Sequence, residues 1–377
     1  MSTVVKLIVN PLKIDEFNLQ YREALLSFLS EGSAEKKWTE HQDYEYTYGS
    51  IQYQFNFTQA LLKRRRKQGR EGERFEVYDP CQSPIGKGGY GAVYPITGTI
   101  KLTTDRAHIK PGGRKVVKIQ DHSKKNRVHD VRIEYMGLLQ SGYLHPNPPV
   151  FIADDNHSTS YLIMDKAQGV PLERILNPKK RPGNMPKLTV LKRLELTLAL
   201  LAAVKMQVED KSLIHRDIKP GNLIVDLEQS PPKITVIDFG FNLKVGQQDY
   251  HKVGTRAYRA PESFVTFPRY STKSDVYSLG RVLSYLWGDN YRNYYIGRDK
   301  NLDYIKTKSI NNDLFSIPEI KFILTRKEQN IIRSHLNQML SIDRRDFTVP
   351  AFCRHFEKKL DRELANNIFI FSLCVRK

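Results

Sequence analysis

The chain has 377 residues, enough for two domains at roughly 150 residues each. Hydrophobic residues make up 40% and charged residues 27%, a balance that excludes a mostly disordered or fibrous protein. The net charge of +19 favours anionic partners such as nucleotides, phosphorylated proteins, nucleic acid or an acidic membrane face. A basic, soluble surface without a specific partner explains that charge equally well.

Residues 1–74 have the pattern of a separate extension. Apolar residues recur at helical spacing over 15–29, which predicts an amphipathic helix, and Ile51–Phe57 alternates apolar and polar residues as a strand does. We interpret the basic run after this strand as a solvated helix end leading into a linker. The alternative is a nuclear-localisation or phosphate-binding patch between Lys63 and Lys67.

From Phe75 onward, short strands and glycines predict a β-rich region, with a helix over 128–139 and a further strand at 161–164. Residues 177–186 are rich in Lys, Pro and Gly and predict a loop. The apolar stretch 188–208 predicts a long helix, and most of the chain beyond residue 208 has the pattern of helices and loops. We expect a small β-rich lobe followed by a larger helical lobe.

The cysteines Cys81, Cys353 and Cys374 are widely scattered and form no CxxC pair. This usage predicts a reducing compartment and argues against a disulfide framework or a zinc site. Asn10 and Pro11 interrupt the apolar N-terminal patch, which disfavours a signal peptide, and no stretch reaches the roughly 18 apolar residues of a membrane span. We therefore expect a cytoplasmic protein.

A glycine-rich segment fits the pattern G-x-G-x-x-G-x-V through Gly86, Gly88, Gly91 and Val93, with an additional glycine at Gly89. Glycines let backbone N–H groups approach phosphate oxygens closely, and the valine can lie over a nucleotide base. A structural hairpin explains these glycines about equally well. A dinucleotide site would need a helix directly after them, and the strand-like residues at that position disfavour it.

The apolar stretch 115–119 predicts a buried strand that carries Lys118. An unpaired charge is costly to bury, so this lysine needs a partner. Glu134, on the helix predicted 16 residues later, can supply the opposite charge. The alternative is a surface lysine on an edge strand.

More specific motifs occur in a fixed order. Residues 215–223 read His-Arg-Asp-Ile-Lys-Pro-Gly-Asn-Leu, and Asp-Phe-Gly at 238–240 ends an apolar strand pattern. Gly-Thr-Arg-Ala-Tyr-Arg-Ala-Pro-Glu at 254–262 and Ser-Asp-Val-Tyr-Ser-Leu-Gly at 274–280 come next. With the glycine segment, these motifs resemble the eukaryotic-type serine/threonine protein kinase family from Phe75 to about His355.

The resemblance implies an α+β, two-lobed protein kinase fold with a β-rich N-lobe and a larger helical C-lobe. It places an N-terminal extension at 1–74, the N-lobe at 75–167, the C-lobe at 168–358 and a tail at 359–377. The implied activity uses ATP and Mg²⁺ to transfer the γ-phosphoryl group of ATP to Ser or Thr hydroxyls of protein substrates.

The resemblance also assigns roles to single residues. Lys118 holds the α- and β-phosphates of ATP and is oriented by Glu134, and Asp217 accepts the proton of the substrate hydroxyl. Lys219 contacts the transferring phosphate, a pattern that favours Ser and Thr over Tyr. The implied Mg²⁺ ligands are Asn222 and Asp238. The other implied ATP contacts come from the glycine segment, the hinge and the adenine slot: Gly86, Gly88, Gly89, Gly91, Val93, Met164, Asp165, Ala167 and Leu223.

Three supporting contacts are implied as well. Asp275 resembles a residue that braces the catalytic-loop backbone, and Thr255 one whose hydroxyl bonds near Asp217. Glu262 is expected to pair with Arg345.

The chain departs from the family pattern in the segment that leads to Lys118, where Val116 replaces the usual alanine two residues before the lysine and the spacing is unusual. Gly91 and Lys118 are 27 residues apart, more than the usual compact hairpin needs, so we predict an inserted loop over 95–114. The catalytic residues are all present, which disfavours a pseudokinase.

The activation loop is a second point of interest. In this family the arginine before the catalytic aspartate, here Arg216, commonly pairs with a phosphorylated residue. Between Gly240 and Gly254 the loop has no Ser or Thr. We therefore predict that Asp249 is a permanent carboxylate partner of Arg216, or that Tyr250 is the phosphorylated residue. The first option predicts activity without a loop phosphate.

Three rival functions belong to other classes. A small-molecule kinase of the antibiotic-phosphorylating type would lack the segment at 254–262, and a silent scaffold would have lost one of Lys118, Asp217 or Asp238. A nucleic-acid-binding protein would explain the charge, but no recognition motif accompanies it. The expected partners are protein substrates with Ser or Thr acceptors and a regulatory protein that binds the extension, with no specific nucleic acid. The divergent sequence outside the motifs also leaves open a pathogen-encoded kinase acting in a host cytosol.

Overall fold

The structure of the chain is a computed structural model that describes residues 4–31, 35–64, 72–89, 91–103, 106–122, 131–154, 157–177, 188–289, 314–315, 317, 320 and 323–341. Backbone packing divides the chain into two units. The first unit comprises Met1–Tyr135 and Leu144–Lys166, and the second comprises Met136–Tyr143 and Ala167–Lys377.

Stretches rich in aromatic and β-branched residues form the strands of the first unit. One sheet consists of β1 (Val4–Val9), β3 (Asp43–Tyr48) and β4 (Ile51–Phe57). A larger sheet consists of β2 (Lys36–Trp38), β5 (Ala60–Arg64), β6 (Glu73–Tyr78), β7 (Gly86–Gly88), β8 (Gly91–Leu102), β9 (Ala107–Pro111), β10 (Lys115–Asp121), β11 (Val150–Asp154) and β12 (His157–Asp165).

The strand order in the small sheet is β1-β4-β3, with β1 parallel to β4. In the large sheet the order is β11-β12-β10-β8-β6-β5-β2, and β7 and β9 each pair with β8. The strand predicted at 51–57 is therefore confirmed. The sheet places β10, the strand of the predicted ATP-binding lysine, between β12 and β8.

The first helix, α1 (Leu19–Ser30), begins four residues later than predicted. Its N-cap, Asn18, accepts a hydrogen bond from the backbone N–H of Tyr21 at 2.9 Å, and this satisfies one of the free donors of the first turn. Residues Pro11–Glu16 form a separate 3₁₀ helix. The core of this region centres on Phe28, whose ring contacts the rings of Trp38, Phe55 and Phe57 among others.

The described part of the basic run, up to Arg64, is a strand, so the interpretation of this part as a solvated helix end is wrong. Lys63 and Arg64 lie in β5 and are only 2% and 9% exposed. Lys63 Nζ lies 2.7 Å from a carboxylate oxygen of Glu73, and Arg64 Nη1 lies 2.7 Å from one of Glu76. Residues 65–71 of this region lie outside the described residues.

Residues 1–74 do not form a unit of their own, in contrast to the expected extension. Strands β2 and β5 continue the sheet that contains β8 and β10, and the expected boundary at residue 74 falls inside β6 (Glu73–Tyr78). The division of the chain assigns all of Met1–Tyr135 to one unit. The charged residues of β5 are neutralised by the neighbouring strand, which is how a basic segment can form a central strand of a sheet.

The prediction of a loop over 95–114 is also wrong, because most of the described residues of this segment belong to β8 and β9. The second half of β8 pairs with β6 and with β9, and Ile96, Ile100 and Leu102 are buried. The extra length is therefore mainly strand rather than an irregular loop.

In the second unit, an apolar helix and several short strands lie around the catalytic motifs. The strands are β13 (Val170–Pro171), β14 (Leu213–Ile214), β15 (Leu223–Asp226), β16 (Lys233–Val236) and β17 (Leu243–Lys244). The helices that lie wholly in this unit are α3 (Leu172–Leu176), α4 (Val190–Gln207), α5 (Thr272–Leu286) and α6 (Arg326–Leu340), among the described residues.

Helix α2 (Val131–Ser141) belongs to both units. Its residues up to Tyr135 are part of the first unit, and those from Met136 onward are part of the second. It matches the helix predicted at 128–139, of which residues 128–130 lie outside the described range. The prediction of a long helix at 188–208 is confirmed by α4, which is capped by Thr189. The loop predicted at 177–186 lies almost wholly outside the described residues. Across the described ranges, no helix has both the length and the apolarity that a bilayer span requires.

Removing the charge of Glu76 should destabilise the fold strongly. Its side chain is fully buried, with Arg64 at 2.7 Å, Arg74 at 3.1 Å and the hydroxyl of Thr99 at 2.5 Å. Glu76→Gln would leave the buried Arg64 charge without its carboxylate, so we expect a loss of about 3 kcal/mol in the free energy of unfolding, measured by urea denaturation.

The matched control for this substitution is Glu16→Gln. Glu16 pairs with Lys13 at 3.0 Å, but both side chains are more than half exposed, so the change should stay below about 0.5 kcal/mol. Equal effects of the two substitutions would contradict the importance of the buried pair.

Candidate active site

The first unit holds a buried ion pair on β10 and α2. Lys118 Nζ donates to both carboxylate oxygens of Glu134 at 2.8 Å, and Gln120 Nε2 donates to one of them at 3.2 Å. The two charged residues are 8% and 1% exposed. The alternative of a surface lysine is therefore wrong, and the expected partner is in place.

The glycine segment forms a tight hairpin between β7 and β8. Gly86 lies opposite Val93, and Gly88 lies opposite Gly91. Gly91 has φ +145°, and a Cβ there would lie 2.2 Å from the carbonyl oxygen of Ile119, so only glycine fits. Gly86, Gly88 and Gly89 are exposed, which leaves their backbone accessible to a ligand.

The predicted adenine contacts are distributed over both units. Met164 is buried in β12, and Asp165 ends that strand with its carboxylate 2.9 Å from His145 Nδ1. Ala167 and Leu223 belong to the second unit, where Leu223 is fully buried at the start of β15.

In the second unit, the carboxylate of Asp217 is held on both of its oxygens. Oδ1 accepts from the N–H and the hydroxyl of Thr255 at 2.8 and 2.7 Å. Oδ2 accepts from Lys219 Nζ at 2.6 Å and from Asn222 Nδ2 at 3.2 Å. Lys219 also donates to the Thr255 hydroxyl at 3.0 Å. The structure thus brings Asp217, Lys219 and Asn222 together and confirms the hydroxyl contact predicted for Thr255.

The backbone of this loop is braced by Asp275 of α5. Its carboxylate accepts from the N–H of His215 at 2.6 Å and of Arg216 at 2.9 Å, which confirms the predicted brace. Burial raises the pKa of Asp275, although the nearby His215 and these hydrogen bonds act in the opposite direction. The two hydrogen bonds that Asp275 accepts from this backbone explain how Arg216 keeps its left-handed φ of +66°.

The predicted metal ligands lie on adjacent segments. The carbonyl oxygen of Asn222 accepts from the N–H of Ile237 at 3.0 Å, which places Asp238 directly beside the catalytic loop. The side-chain N–H group of Asn222 is directed at Asp217, so its amide oxygen is the group left for a cation. A carboxylate and an amide oxygen are hard donors, and this pair fits Mg²⁺.

The activation loop is held by an acidic residue, as predicted. Arg216 Nη1 donates to Asp249 Oδ2 at 2.6 Å, and the guanidinium lies over the ring of Tyr270, 4.9 Å from its centroid. Burial alone would raise the pKa of Asp249. Hydrogen bonds from His251 and Arg216 outweigh the effect of burial, so the pKa of this carboxyl lies below its usual value and the group is ionised at neutral pH. Tyr250 is 52% exposed.

Tyr270 is a supporting residue that the motifs did not indicate. Its hydroxyl donates to the carbonyl oxygen of His251 at 2.9 Å and accepts from the N–H of Val253 at 3.3 Å, so it ties two points of the activation loop together. It lies eight residues after Glu262, the last residue of the motif at 254–262, and no local pattern marks it.

Glu262 accepts from the hydroxyl of Ser274 at 2.6 Å. Its predicted partner, Arg345, lies outside the described residues, as do Cys353, Cys374 and the predicted tail at 359–377. Cys81 is an exposed free thiol.

Comparison with known proteins gives a match to the protein kinase domain over residues 81–347. A serine/threonine-protein kinase of Caenorhabditis elegans is 26% identical over 233 residues, which cover 59% of this chain and 22% of that protein. Mitogen-activated protein kinase HOG1 of Debaryomyces hansenii is 28% identical over 206 residues, which cover 54% and 47%. Human serine/threonine-protein kinase Nek10 is 27% identical over 212 residues, which cover 53% and 17%.

The aligned part therefore spans between 17% and 47% of the length of these relatives. The family match is broader with respect to this chain, since it extends from residue 81 to residue 347. That range contains the glycine hairpin, the buried ion pair, the catalytic loop and the activation loop. The α+β architecture, with a strand-rich first unit and a second unit dominated by helices, agrees with this match, and the chain belongs to the protein kinase family.

Proposed function

We propose that this protein kinase transfers the γ-phosphoryl group of ATP, with Mg²⁺, to Ser and Thr hydroxyls of protein substrates. The observation that carries the proposal is the carboxylate of Asp217, which is fixed by Lys219, Asn222 and Thr255 in a loop braced by Asp275. Phosphoryl transfer needs positioning and charge stabilisation more than covalent chemistry, and this arrangement supplies both.

In the proposed mechanism, Asp217 orients the substrate hydroxyl and accepts its proton as the phosphoryl group is transferred. Lys219 stabilises the charge on the transferring phosphate, and Lys118, kept in place by Glu134, holds the α- and β-phosphates. Mg²⁺, when bound by Asn222 and Asp238, neutralises charge on the phosphate oxygens. Backbone N–H groups of the glycine hairpin contribute further contacts to those oxygens.

The preference for Ser and Thr is supported by the lysine two residues after the base. Lys219 bridges Asp217 and the Thr255 hydroxyl, at 2.6 and 3.0 Å. The names of the relatives from C. elegans and human point to the same specificity.

We also propose a cytoplasmic site of action, which the scattered cysteines support.

We propose separately that the activity is controlled by a protein that binds the residues before β6. Strands β2 and β5 belong to the sheet that carries Lys118, so a partner bound there would act on that sheet. Crosslinking of the active full-length chain in cell extract, with peptide mapping, would test this: crosslinks confined to residues beyond 80 would contradict it.

Asp217→Asn should abolish most of the transfer while ATP binding persists. The substitution keeps the shape of the side chain but removes its basicity and one of its two accepting oxygens, so we expect kcat to fall by about 100-fold or more at an unchanged Kd for ATP. Labelled ATP and a peptide array that identifies the acceptor residues provide the assay.

The control is Asp226→Asn. Asp226 ends β15 and accepts from the N–H of Glu228 at 3.1 Å, a bond that Asn preserves. Wild-type turnover in Asp217→Asn would contradict the assignment of the base, and Tyr acceptors on the array would contradict the assigned specificity.

Breaking the ion pair from either side should reduce activity by about 100-fold or more, because Lys118→Met removes the ammonium group that holds the phosphates and Glu134→Gln removes the carboxylate that orients it. We expect this for Lys118→Met and for Glu134→Gln, measured as kcat/KM for ATP. The control is Glu195→Gln, which removes the 2.7 Å pair with Lys192 in α4. Full activity in Glu134→Gln would show that the pair has no role in catalysis.

The protein should be active without phosphate on the activation loop, because the Asp249 carboxylate already forms an ion pair with Arg216. We expect phosphatase-treated protein, shown by mass spectrometry to be unmodified at Tyr250 and Thr255, to keep its kcat within about twofold. Asp249→Ala should lower kcat by about tenfold, since a charge-assisted bond to Arg216 is lost. Tyr250→Phe serves as the control and should leave kcat unchanged.

An inactive dephosphorylated enzyme that recovers only when Tyr250 or Thr255 is rephosphorylated would contradict this prediction.

A further inference from the structure

The backbone at Asp238 has an unusual conformation. Its φ of +66° lies in the left-handed region, which is unfavourable for a residue with a side chain. Such a conformation persists only where neighbouring contacts hold it. The contacts that hold the segment from Asp238 to Asn242 therefore decide where the Asp238 carboxylate points.

Asn242 supplies two of these contacts to one atom. Its side-chain Nδ2 donates to the carbonyl oxygen of Phe239 at 2.6 Å, and its backbone N–H donates to the same oxygen at 3.1 Å. The side chain is buried. The side-chain amide and the backbone N–H of Asn242 thus donate to the same carbonyl, and this fixes the turn directly after Asp238.

The rest of the turn is held by the catalytic loop. The Phe239 ring is fully buried and packs edge-on against the ring of His215, with 4.8 Å between centroids. Arg216 Nε donates to the carbonyl oxygen of Phe241. Asn242 holds the turn from the side that faces α2.

On that side, Asn242 packs against helix α2 at Gly137. A Cβ on Gly137 would lie 2.4 Å from Asn242 Nδ2, 2.8 Å from Asn242 Cγ and 2.9 Å from Phe239 Cβ. Non-bonded contacts this short are not formed by a Cβ atom, so any side chain at 137 would push Asn242 away from the Phe239 carbonyl. The glycine and the asparagine are matched in size.

We propose that Gly137 and Asn242 form a size-matched pair that holds Asp238 in its metal-binding conformation, with Asn242 as a positioning residue. The inference rests on the proposed function, in which Asp238 is a ligand of Mg²⁺. Neither residue is among the proposed ligands of Mg²⁺ or of the substrate. Their effect reaches the reaction through the backbone of the turn, so it should change the Mg²⁺ requirement more than the binding of nucleotide alone.

The test compares Gly137→Ala, Asn242→Ala and the double variant in the full-length chain. Two readouts are measured: hydrogen exchange at the amides of residues 239–242, and kcat as a function of Mg²⁺ concentration. We expect Gly137→Ala to speed exchange in this segment, to lower kcat by about tenfold and to raise the Mg²⁺ concentration for half-maximal rate, with the Kd for metal-free ADP unchanged.

Asn242→Ala should give the same changes in weaker form. In the double variant the clashes with Nδ2 and Cγ are gone and the 2.9 Å approach to Phe239 Cβ is left, so its kcat should be clearly higher than the product of the two single losses predicts. This recovery separates the size match from two independent losses.

Gly280→Ala is the control for overpacking elsewhere. Gly280 is a buried glycine of α5 whose added Cβ would lie 3.0 Å from Leu340 Cδ2. It should lower thermal stability without changing exchange at 239–242 or the Mg²⁺ dependence.

The inference would be overturned by losses that simply multiply in the double variant, or by unchanged exchange at 239–242 in Asn242→Ala. The exchange measurement needs no phosphoryl transfer, so it decides the inference even if Gly137→Ala is too unstable to assay. A wild-type protein without kinase activity would instead overturn the proposed function and leave the exchange results standing.

Discussion

The catalytic loop depends on a single buried carboxylate. Asp275 accepts the N–H groups of two successive residues, His215 and Arg216, and thereby fixes the backbone from which Asp217 and Arg216 project in different directions. Each of these side chains then organises a further segment: Asp217 binds Thr255, and Arg216 binds Asp249. One helix residue thus supports the geometry of the catalytic loop, of the segment at Thr255 and of the activation loop at Asp249.

Sequence reasoning succeeded where the relevant information is local. Helix α4 has a long apolar stretch with a threonine cap, and β4 has a strict alternation, so both were found. It failed for β5, because Lys63 and Arg64 are buried only by virtue of Glu73 and Glu76 on the neighbouring strand. A local pattern of charges indicates solvent, and the pairing that reverses this comes from residues about ten positions further on.

The same contrast between local patterns and distant contacts applies to the residues of the candidate site. Spacing and the family resemblance indicated Lys118, Glu134 and Asp217, since each belongs to a motif with a known order. Tyr270 and Asn242 were missed, because their contacts join points that are set by backbone geometry rather than by a sequence pattern. The close approach at Gly137 is likewise invisible in the sequence, where one glycine inside a helical stretch carries no indication of what faces it.

The continuity of the large sheet has a practical consequence. A protein trimmed to the matched range 81–347 would lose β5 and β6, the strands on one side of the second half of β8. The buried residues Ile96, Ile100 and Leu102 would then lie on a strand with an open hydrogen-bonding edge, which is a template for intermolecular β-pairing. Such a fragment would keep each catalytic motif intact and still be prone to aggregate.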